Sequence, residues 1–211
     1  MSPRQDGEIT YGLLPRSGWP DALRILAEEN VSIAGLAHES VRRAFLEDSL
    51  STSQPLIVSA CESQEVLGLV LCVIDPARYW PLLARRHPTA ALRILGARLM
   101  RKLGAGWLPG METVADRSVL ELMVPNVSGK QWSDSSPEIA KIMFIGVDRR
   151  HRRRSIGRGL YEELFRQLRL RAVRRVDACM NWPNVPSIRL HRASGWQLFA
   201  RPESVMATYD L

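Results

Sequence analysis

Cysteine is scarce in this chain, and so are lysine and long apolar runs. Cys61, Cys72 and Cys179 are odd in number, sit inside apolar runs and lack CxxC or metal-ligand spacing, which argues against a disulfide framework and against a zinc site. They read as small core residues. The longest apolar run, Val66 to Ile74, spans nine residues, well short of the roughly 20 that a membrane-crossing helix needs. No apolar stretch follows Arg4, Asp6 and Glu8, so a secretory signal is not supported and the cytoplasm is the expected compartment. Lysine occurs three times against 26 arginines. A coding bias explains such a ratio as readily as a use for bidentate phosphate contacts does. No internal repeat or low-complexity segment is visible.

With 211 residues, 45% of them hydrophobic and 24% charged, the chain has the size and mixture of one globular domain, or of one domain with an elaborated insert. The net charge of +7 is unevenly spread. Residues 149–175 hold eleven arginines against Glu162 and Glu163, and residues 76–107 hold six arginines and Lys102 with no acid, so everything outside these blocks sums to −9. Two basic blocks on an otherwise acidic protein each need a reason.

The patterning predicts a strand over Glu8 to Leu14, a helix opening at Pro20 and Asp21, and a second helix over Ile33 to Leu50. Leu56 to Ala60 and Val66 to Ile74 are β-rich runs joined by a longer loop, Cys61 to Glu65, and Gly68 marks a bulge. From Pro76 to Trp107, leucines and isoleucines at helical spacing alternate with arginines, as in one or two amphipathic helices broken near Pro88. Gly104 to Pro137 reads mostly as loop with a strand at Val119 to Val124. Ile139 to Val147 is an apolar strand, Asp148 to Ser155 a basic turn and Ile156 to Ala172 a helix. Arg175 to Asn181 is a strand, Ser187 to Ser194 a short helix ended by Gly195, and Trp196 to Leu211 the closing strands. The order is that of a mixed α/β fold.

A strand that runs through a tight turn into a helix presents free N–H groups and the positive end of the helix dipole to whatever lies beyond it. Here the turn is Arg152-Arg153-Arg154-Ser155-Ile156-Gly157-Arg158-Gly159. Small residues at 155, 157 and 159 let a phosphate approach the main chain, and the arginines add charge. A solvated basic turn with helix-packing glycines has the same composition.

Arg152-x-x-Ser155-x-Gly157, then Gly159-Leu160, resembles the acyl-CoA pyrophosphate loop of the GNAT superfamily of N-acetyltransferases, whose pattern is Gln/Arg-x-x-Gly-x-Gly/Ala. Downstream, Asn184-x-x-Ser187-x-x-Leu190-His191-x-x-x-Gly195-Trp196 resembles that family's final helix, Asn-x-x-Ala-x-x-Leu-Tyr-x-x-x-Gly-Phe. The two motifs are correctly ordered. The resemblance covers most of the chain except Pro76 to about Pro137. It implies a mixed, mostly antiparallel central sheet flanked by helices, here with a basic helical insert at about 76–137. It also implies acetyl-CoA or another acyl-CoA as co-substrate, without a metal. By the same carry-over, the N–H groups of Arg153, Arg154, Ser155, Ile156, Gly157 and Arg158 hold the pyrophosphate, with Arg152 and Gly159 framing the loop. The backbone of Ile145, Gly146 and Val147 pairs with the pantetheine arm, and Asn184 contacts it.

Three departures bear on this expectation. Ser155 stands where the family has its first loop glycine, so a φ > 0 conformation there is strained, although its hydroxyl can bond a phosphate. His191 replaces the tyrosine that protonates the departing thiolate in many members, a task imidazole performs if its pKa lies near neutrality. The strand before the loop, Lys141 to Val147, carries no carboxylate where several members have a general-base glutamate. Glu121 is the first candidate for that base, with Asp116, Glu39 and His38 behind it; each also reads as a solvated surface group.

The basic insert reads as an extra helical layer with a solvated arginine face. Its leucines, arginines, Trp80 and Trp107 also fit a helix lying on an anionic membrane, and its arginines fit a clamp on the phosphates of a nucleotide-linked sugar. The expected activity is transfer of an acyl group, most simply acetyl, to a primary amine of a small molecule such as an amino sugar. A noncatalytic acyl-CoA sensor and a phosphate- or nucleic-acid-binding protein are the alternatives. The arginine stretch lacks the aromatic interleaving and DNA-binding motifs that nucleic-acid recognition calls for. Homodimers are common among such relatives. Acyl length depends on the pocket near Met143, Ile145 and Met180.

Overall fold

Two β-rich runs near the middle of the chain found the sheet. The computed structural model describes residues 7–28, 36–52, 54–102, 138–181, 184–200 and 204–211. Leu56–Glu62 (β2) and Glu65–Ile74 (β3) pair antiparallel. Their connection is the two-residue turn Ser63-Gln64 and not the longer loop expected from sequence. Both residues have positive φ, 49° and 74°, the geometry whose twist matches that of paired strands. Beside Gly68 the register steps from Ala60↔Gly68 to Cys61↔Val66, which makes Leu67 the extra residue of a bulge.

Thr10–Leu13 (β1) extends one edge of this hairpin, and Ile139–Val147 (β4) lies antiparallel to β3 on the other. Arg175–Asn181 (β5) runs parallel to β4. Ser204–Asp210 (β7) then Gln197–Ala200 (β6) close the order β1-β2-β3-β4-β5-β7-β6. Every neighbouring pair but β4–β5 is antiparallel. The sheet is the expected mixed, mostly antiparallel one.

Helices cover both faces. Trp19–Glu28 (α1) and Glu39–Thr52 (α2) pack on one, where Ile25, Leu26, Phe45 and Leu46 meet Ile57, Leu69, Leu71 and Phe144. The second helix thus begins later than its apolar pattern suggested: residues 36–38 form a turn, and residues 31–35 lie outside those described. On the opposite face Ile156–Arg169 (α5) and Val185–Ala193 (α6) bury Leu160, Leu164, Leu168 and Ile188 against Leu56, Val58, Val70 and Val176.

The basic insert opens with Pro76–Arg86 (α3) and Pro88–Lys102 (α4), broken at His87 as expected. These two helices form a structural layer. Tyr79, Leu83, Ala90 and Ile94 join the core beneath α1 and α2. The fully buried Asp48 of α2 accepts from Tyr79 Oη at 3.4 Å, lies 3.0 Å from His87 Nε2 and pairs with Arg86 at 3.1 Å. Removing a carboxylate with so many partners would orphan all of them. Leu92, Leu95 and Leu99 of α4 are nevertheless 67, 62 and 55% exposed. No described helix is long and apolar enough to cross a membrane. The strand expected at Val119 to Val124 lies outside the described residues.

Candidate active site

The parallel ladder between β4 and β5 is short. It runs from Ile139↔Arg175 to Ile142↔Ala178 and stops, while β4 continues on β3 to Val147 and β5 continues on β7 to Asn181. The strands therefore splay, and the facing edges of Met143 to Val147 and of Cys179 to Asn181 present main-chain groups without a ladder partner across the gap. Such groups need a partner from elsewhere. A wedge between two strands accepts an extended, amide-bearing chain as a substitute strand.

A second bulge sits at the mouth of the wedge. The register passes from Leu71↔Phe144 to Cys72↔Ile142, leaving Met143 as the extra residue. Met143 and Phe144 consequently both lie on the α1–α2 face, while Ile142 and Ile145 face the core under α5. Ile145, Gly146 and Val147 are half-buried along the open edge.

Beyond Val147 the chain turns through Asp148, which caps a short 3-10 turn, Arg149–His151, by accepting from Arg150 N at 2.9 Å. Arg153 and Ser155 then adopt positive φ, 66° and 57°. Ser155 is the left-handed residue that starts α5, and its side chain makes no capping hydrogen bond. The N–H groups of Arg158 and Gly159 close onto Ser155 O at 3.0 and 3.2 Å. Those ahead of them have no intrahelical partner and point out of the helix end. The expected strain at Ser155 is thus present, because the family's glycine position keeps its left-handed geometry with a Cβ on it. Ser155→Gly is expected to stabilise the fold by about 1 kcal/mol and to leave acetyl-CoA affinity intact or raised. Chemical denaturation and calorimetric titration measure the two. A loss of affinity would assign the hydroxyl a phosphate contact.

The loop glycines are packing residues as well. A Cβ on Gly159 would collide with the Tyr11 ring, and one on Gly157 would stand 3.0 Å from Leu190 of α6. These contacts bring β1 and α6 against the first turn of α5. Several loop arginines are held within the protein: Arg154 pairs with Glu62 at 2.6 and 3.1 Å, and Arg150 with Asp148 and Glu65 at 2.8 and 3.0 Å. Arg152, Arg153 and Arg158 are exposed around the helix end. Asn184 caps α6, its Oδ1 accepting from Ser187 N at 3.2 Å, at the far lip of the wedge.

His191 departs from the expectation attached to it. It is buried among Tyr161, Trp196 and the α5 core. Nδ1 lies 2.7 Å from Ser187 O, which accepts its proton, so Nε2 accepts from the Tyr161 hydroxyl at 2.8 Å. Burial pushes its pKa down to about 4, against a smaller opposing effect of the Ser187 carbonyl. At pH 7 only about one molecule in a thousand carries the imidazolium. The near-neutral pKa that an acid role requires is absent, and the residue serves as a hydrogen-bonded core histidine.

Glu121 and Asp116 lie outside the described residues. His38 and Glu39 are exposed at the start of α2, with Glu39 bound to Arg43 at 2.7 Å. Sequence reasoning missed two acids. Asp148 had a legible signal, an aspartate between a strand and a turn, where capping is expected. Asp177 is a lone acid in an apolar strand; it is 7% exposed and accepts from Thr208 Oγ1 at 2.9 Å.

The sequence model described as Acetyltransferase (GNAT) family matches residues 125–196. A search of curated proteins finds no match. Among solved structures, the chain is similar to SsHAT, with a TM-score of 0.61 at 16% identity over 96% of this chain and 98% of that one. It is similar to a ribosomal-protein-alanine N-acetyltransferase from Brucella melitensis, at 0.57 and 15% over 96% and 99%. It is also similar to NAA60 of Arabidopsis thaliana in complex with a bisubstrate analogue, at 0.57 and 14% over 96% and 98%. The family match falls on the strand, loop and helices that build the wedge, and the fold match extends over nearly the whole chain. Residues 125–196 are thus similar to the GNAT acetyltransferase family, and the fold of nearly the whole chain is similar to that of solved N-acetyltransferases.

Proposed function

We propose that this chain moves an acetyl group from acetyl-CoA to the primary amine of a small molecule, an amino sugar being one such acceptor, by direct attack of the amine on the thioester. The observation that carries the donor half is the splay of β4 from β5 leading straight into the left-handed turn and free N-terminus of α5. In this reading the pantetheine arm pairs with Ile145, Gly146 and Val147. The pyrophosphate sits on the N–H groups from Arg153 to Arg158, with Arg152 and Gly159 framing it. Asn184 meets the arm with the amide group that its cap does not use. An N–H of the Phe144 to Val147 segment faces the oxyanion as it forms. The relatives leave a protein acceptor as a second reading, since one of the similar structures is a ribosomal-protein-alanine N-acetyltransferase.

The amine lone pair must be free to attack, so an ammonium acceptor gives up a proton first. The exposed leucines of α4 within a block of seven basic residues and no acid support a peripheral contact with anionic lipid. Co-sedimentation with anionic vesicles at low salt tests that contact, and no binding removes it.

Calorimetric titration with acetyl-CoA and with a long-chain acyl-CoA, at two salt concentrations, tests the donor site. Binding of acetyl-CoA is the expected result. Preference for the long chain would move the reading to a larger acyl group. No binding of either by folded protein would overturn it in favour of a phosphate-binding role for the arginine stretch.

A further inference from the structure

Strand β4 has Lys141 where a carboxylate would be useful, and the neighbouring strand sets a carboxylate directly beside it. In the parallel ladder Lys141 is paired with Asp177, one step before the last pair, Ile142↔Ala178, after which the strands separate. Val176, Ala178 and Met180 all belong to the core under α5 and α6. Strand alternation therefore turns Asp177 and Cys179 to the opposite face, the one on which α1 and α2 pack.

On that face Asp177 Oδ1 accepts from Thr208 Oγ1 of β7 at 2.9 Å and lies 3.1 Å from Arg175 Nε, and Oδ2 accepts from Arg175 Nη2 at 3.2 Å. The charged groups around it are Arg175 on its own strand, Lys141 on β4, and Asp210 on β7, which is paired with Arg175 in the ladder. Burial raises the pKa of this carboxyl above the ordinary aspartate range, and the Thr208 hydrogen bond, Arg175 and Lys141 only partly offset it. A carboxylate made more basic, held in place by three hydrogen-bonding or charged neighbours and set at the root of the wedge, is equipped to receive a proton.

We propose that Asp177 is the group that deprotonates the acceptor amine, and that the acceptor enters on the α1–α2 face where β4 and β5 part. The proposal rests on the N-acetyltransferase reading of the same wedge. The acceptor arrives as R–NH3+, and one N–H proton passes to the Asp177 carboxylate, directly or through one water. The freed lone pair forms the C–N bond at the thioester carbonyl carbon while the C=O electron pair moves to oxygen. Collapse of that intermediate breaks the C–S bond. A second N–H proton is carried by water to the departing sulfur, and Asp177 returns its proton to solvent, leaving an amide, the CoA thiol and one released proton.

Asp177→Asn keeps the size and, through its one oxygen, the Thr208 and Arg175 Nε contacts while losing the acceptor for Arg175 Nη2, and Thr208→Val keeps the carboxylate while removing a bond that stabilises its ionised form. The donor site is read by calorimetry with acetyl-CoA. Turnover is read by thiol release with spermidine, glucosamine 6-phosphate and a peptide with a free alanine amino terminus. Asp177→Asn should bind acetyl-CoA as the wild type does, lose about 100-fold in kcat and lose the acidic limb of the pH–rate profile. Thr208→Val should shift that limb to higher pH, which a purely structural role would not do. Asp177→Asn with kcat and acidic limb near those of the wild type overturns the proposal. If no amine of the panel is turned over, carbon-13 NMR of the Asp177 carboxyl in the acetyl-CoA complex decides. A midpoint above the ordinary range supports the proposal, and one within or below it overturns it. Wild-type protein that fails to bind acetyl-CoA overturns the functional reading itself, and the proposal with it, whereas normal binding beside an active Asp177→Asn removes the proposal alone.

Discussion

Asp148→Ala should cost about 3 kcal/mol of stability at pH 7, the sum of a lost helical cap and lost charge-assisted hydrogen bonds. Asp148 is 2% exposed and accepts from Arg150 N, Nε and Nη2 at 2.9, 3.1 and 2.8 Å and from Arg24 Nη1 at 2.6 Å. Its own N–H donates to Leu67 O at 2.8 Å. The Arg150 hydrogen bonds, with help from Arg24, hold its carboxyl well below the usual carboxylate range despite burial. Folding therefore favours the ionised form. That contribution is present in full above the unfolded-state pKa and is lost as pH falls through the ordinary carboxylate range towards the lowered folded value. The variant's deficit should accordingly be constant from pH 7 to about 5 and shrink below about 4. Urea denaturation across this range measures it, and a deficit under about 1 kcal/mol would mean that the Arg24 and Arg150 bonds only replace hydration. The substitution should also weaken acetyl-CoA binding, because Asp148 fixes the point from which the loop departs. Restoring the cap with Asp148→Asn should recover part of both losses.

Much of the fold was legible because its elements carry strong local patterns. The limits of β5 and the break between α3 and α4 could be read from apolar period and from Pro88 alone. The loop motif singled out the turn before α5 as the candidate anion site, and the substitution at Ser155 announced a strained left-handed residue, which its positive φ bears out. The rest was not legible, for one physical reason: it depends on pairs far apart in sequence. Arg154 looks like a phosphate ligand in the linear chain, yet it is bound to Glu62 of the β2–β3 hairpin, as Arg150 just before the loop is bound to Glu65. The insert's arginine face hid Arg86, whose partner is the buried Asp48. Asp177 could not be told from a solvated surface acid until the ladder set it beside Lys141 and Thr208.

The missing β4 carboxylate and the packed insert bear on the same face of the sheet. Met143 and Phe144 turn towards α1 and α2 because of the bulge, and Asp177 is turned the same way by strand alternation. The face proposed to receive the acceptor is thus assembled by a bulge in β4 and by strand alternation in β5, and not by a motif. On that reading acceptor choice leaves no short signature in the sequence, whereas the proposed donor site, built on one continuous strand-turn-helix unit, does.

Lowering the pH from 6.5 to 4 should remove about 3 kcal/mol of stability through His191 alone, separately from the Asp148 effect at lower pH. The ring is buried beside Tyr161 and Trp196, and its pKa falls from the ordinary 6.5 to about 4. In the unfolded chain the same imidazole takes up a proton near its ordinary pKa. Between the two values the unfolded state binds the additional proton, so stability rises with pH across the window and is lost as the pH drops through it. His191→Gln should be less stable than wild type at pH 7, since it disturbs the bonds to Tyr161 Oη and Ser187 O, yet its stability should depend less steeply on pH between 6.5 and 4. The difference between the two proteins should narrow by about 3 kcal/mol over that interval. Parallel curves would show that the histidine is hydrated enough to ionise in the folded protein. The acid role in thiolate release, which burial argues against, would then return with it.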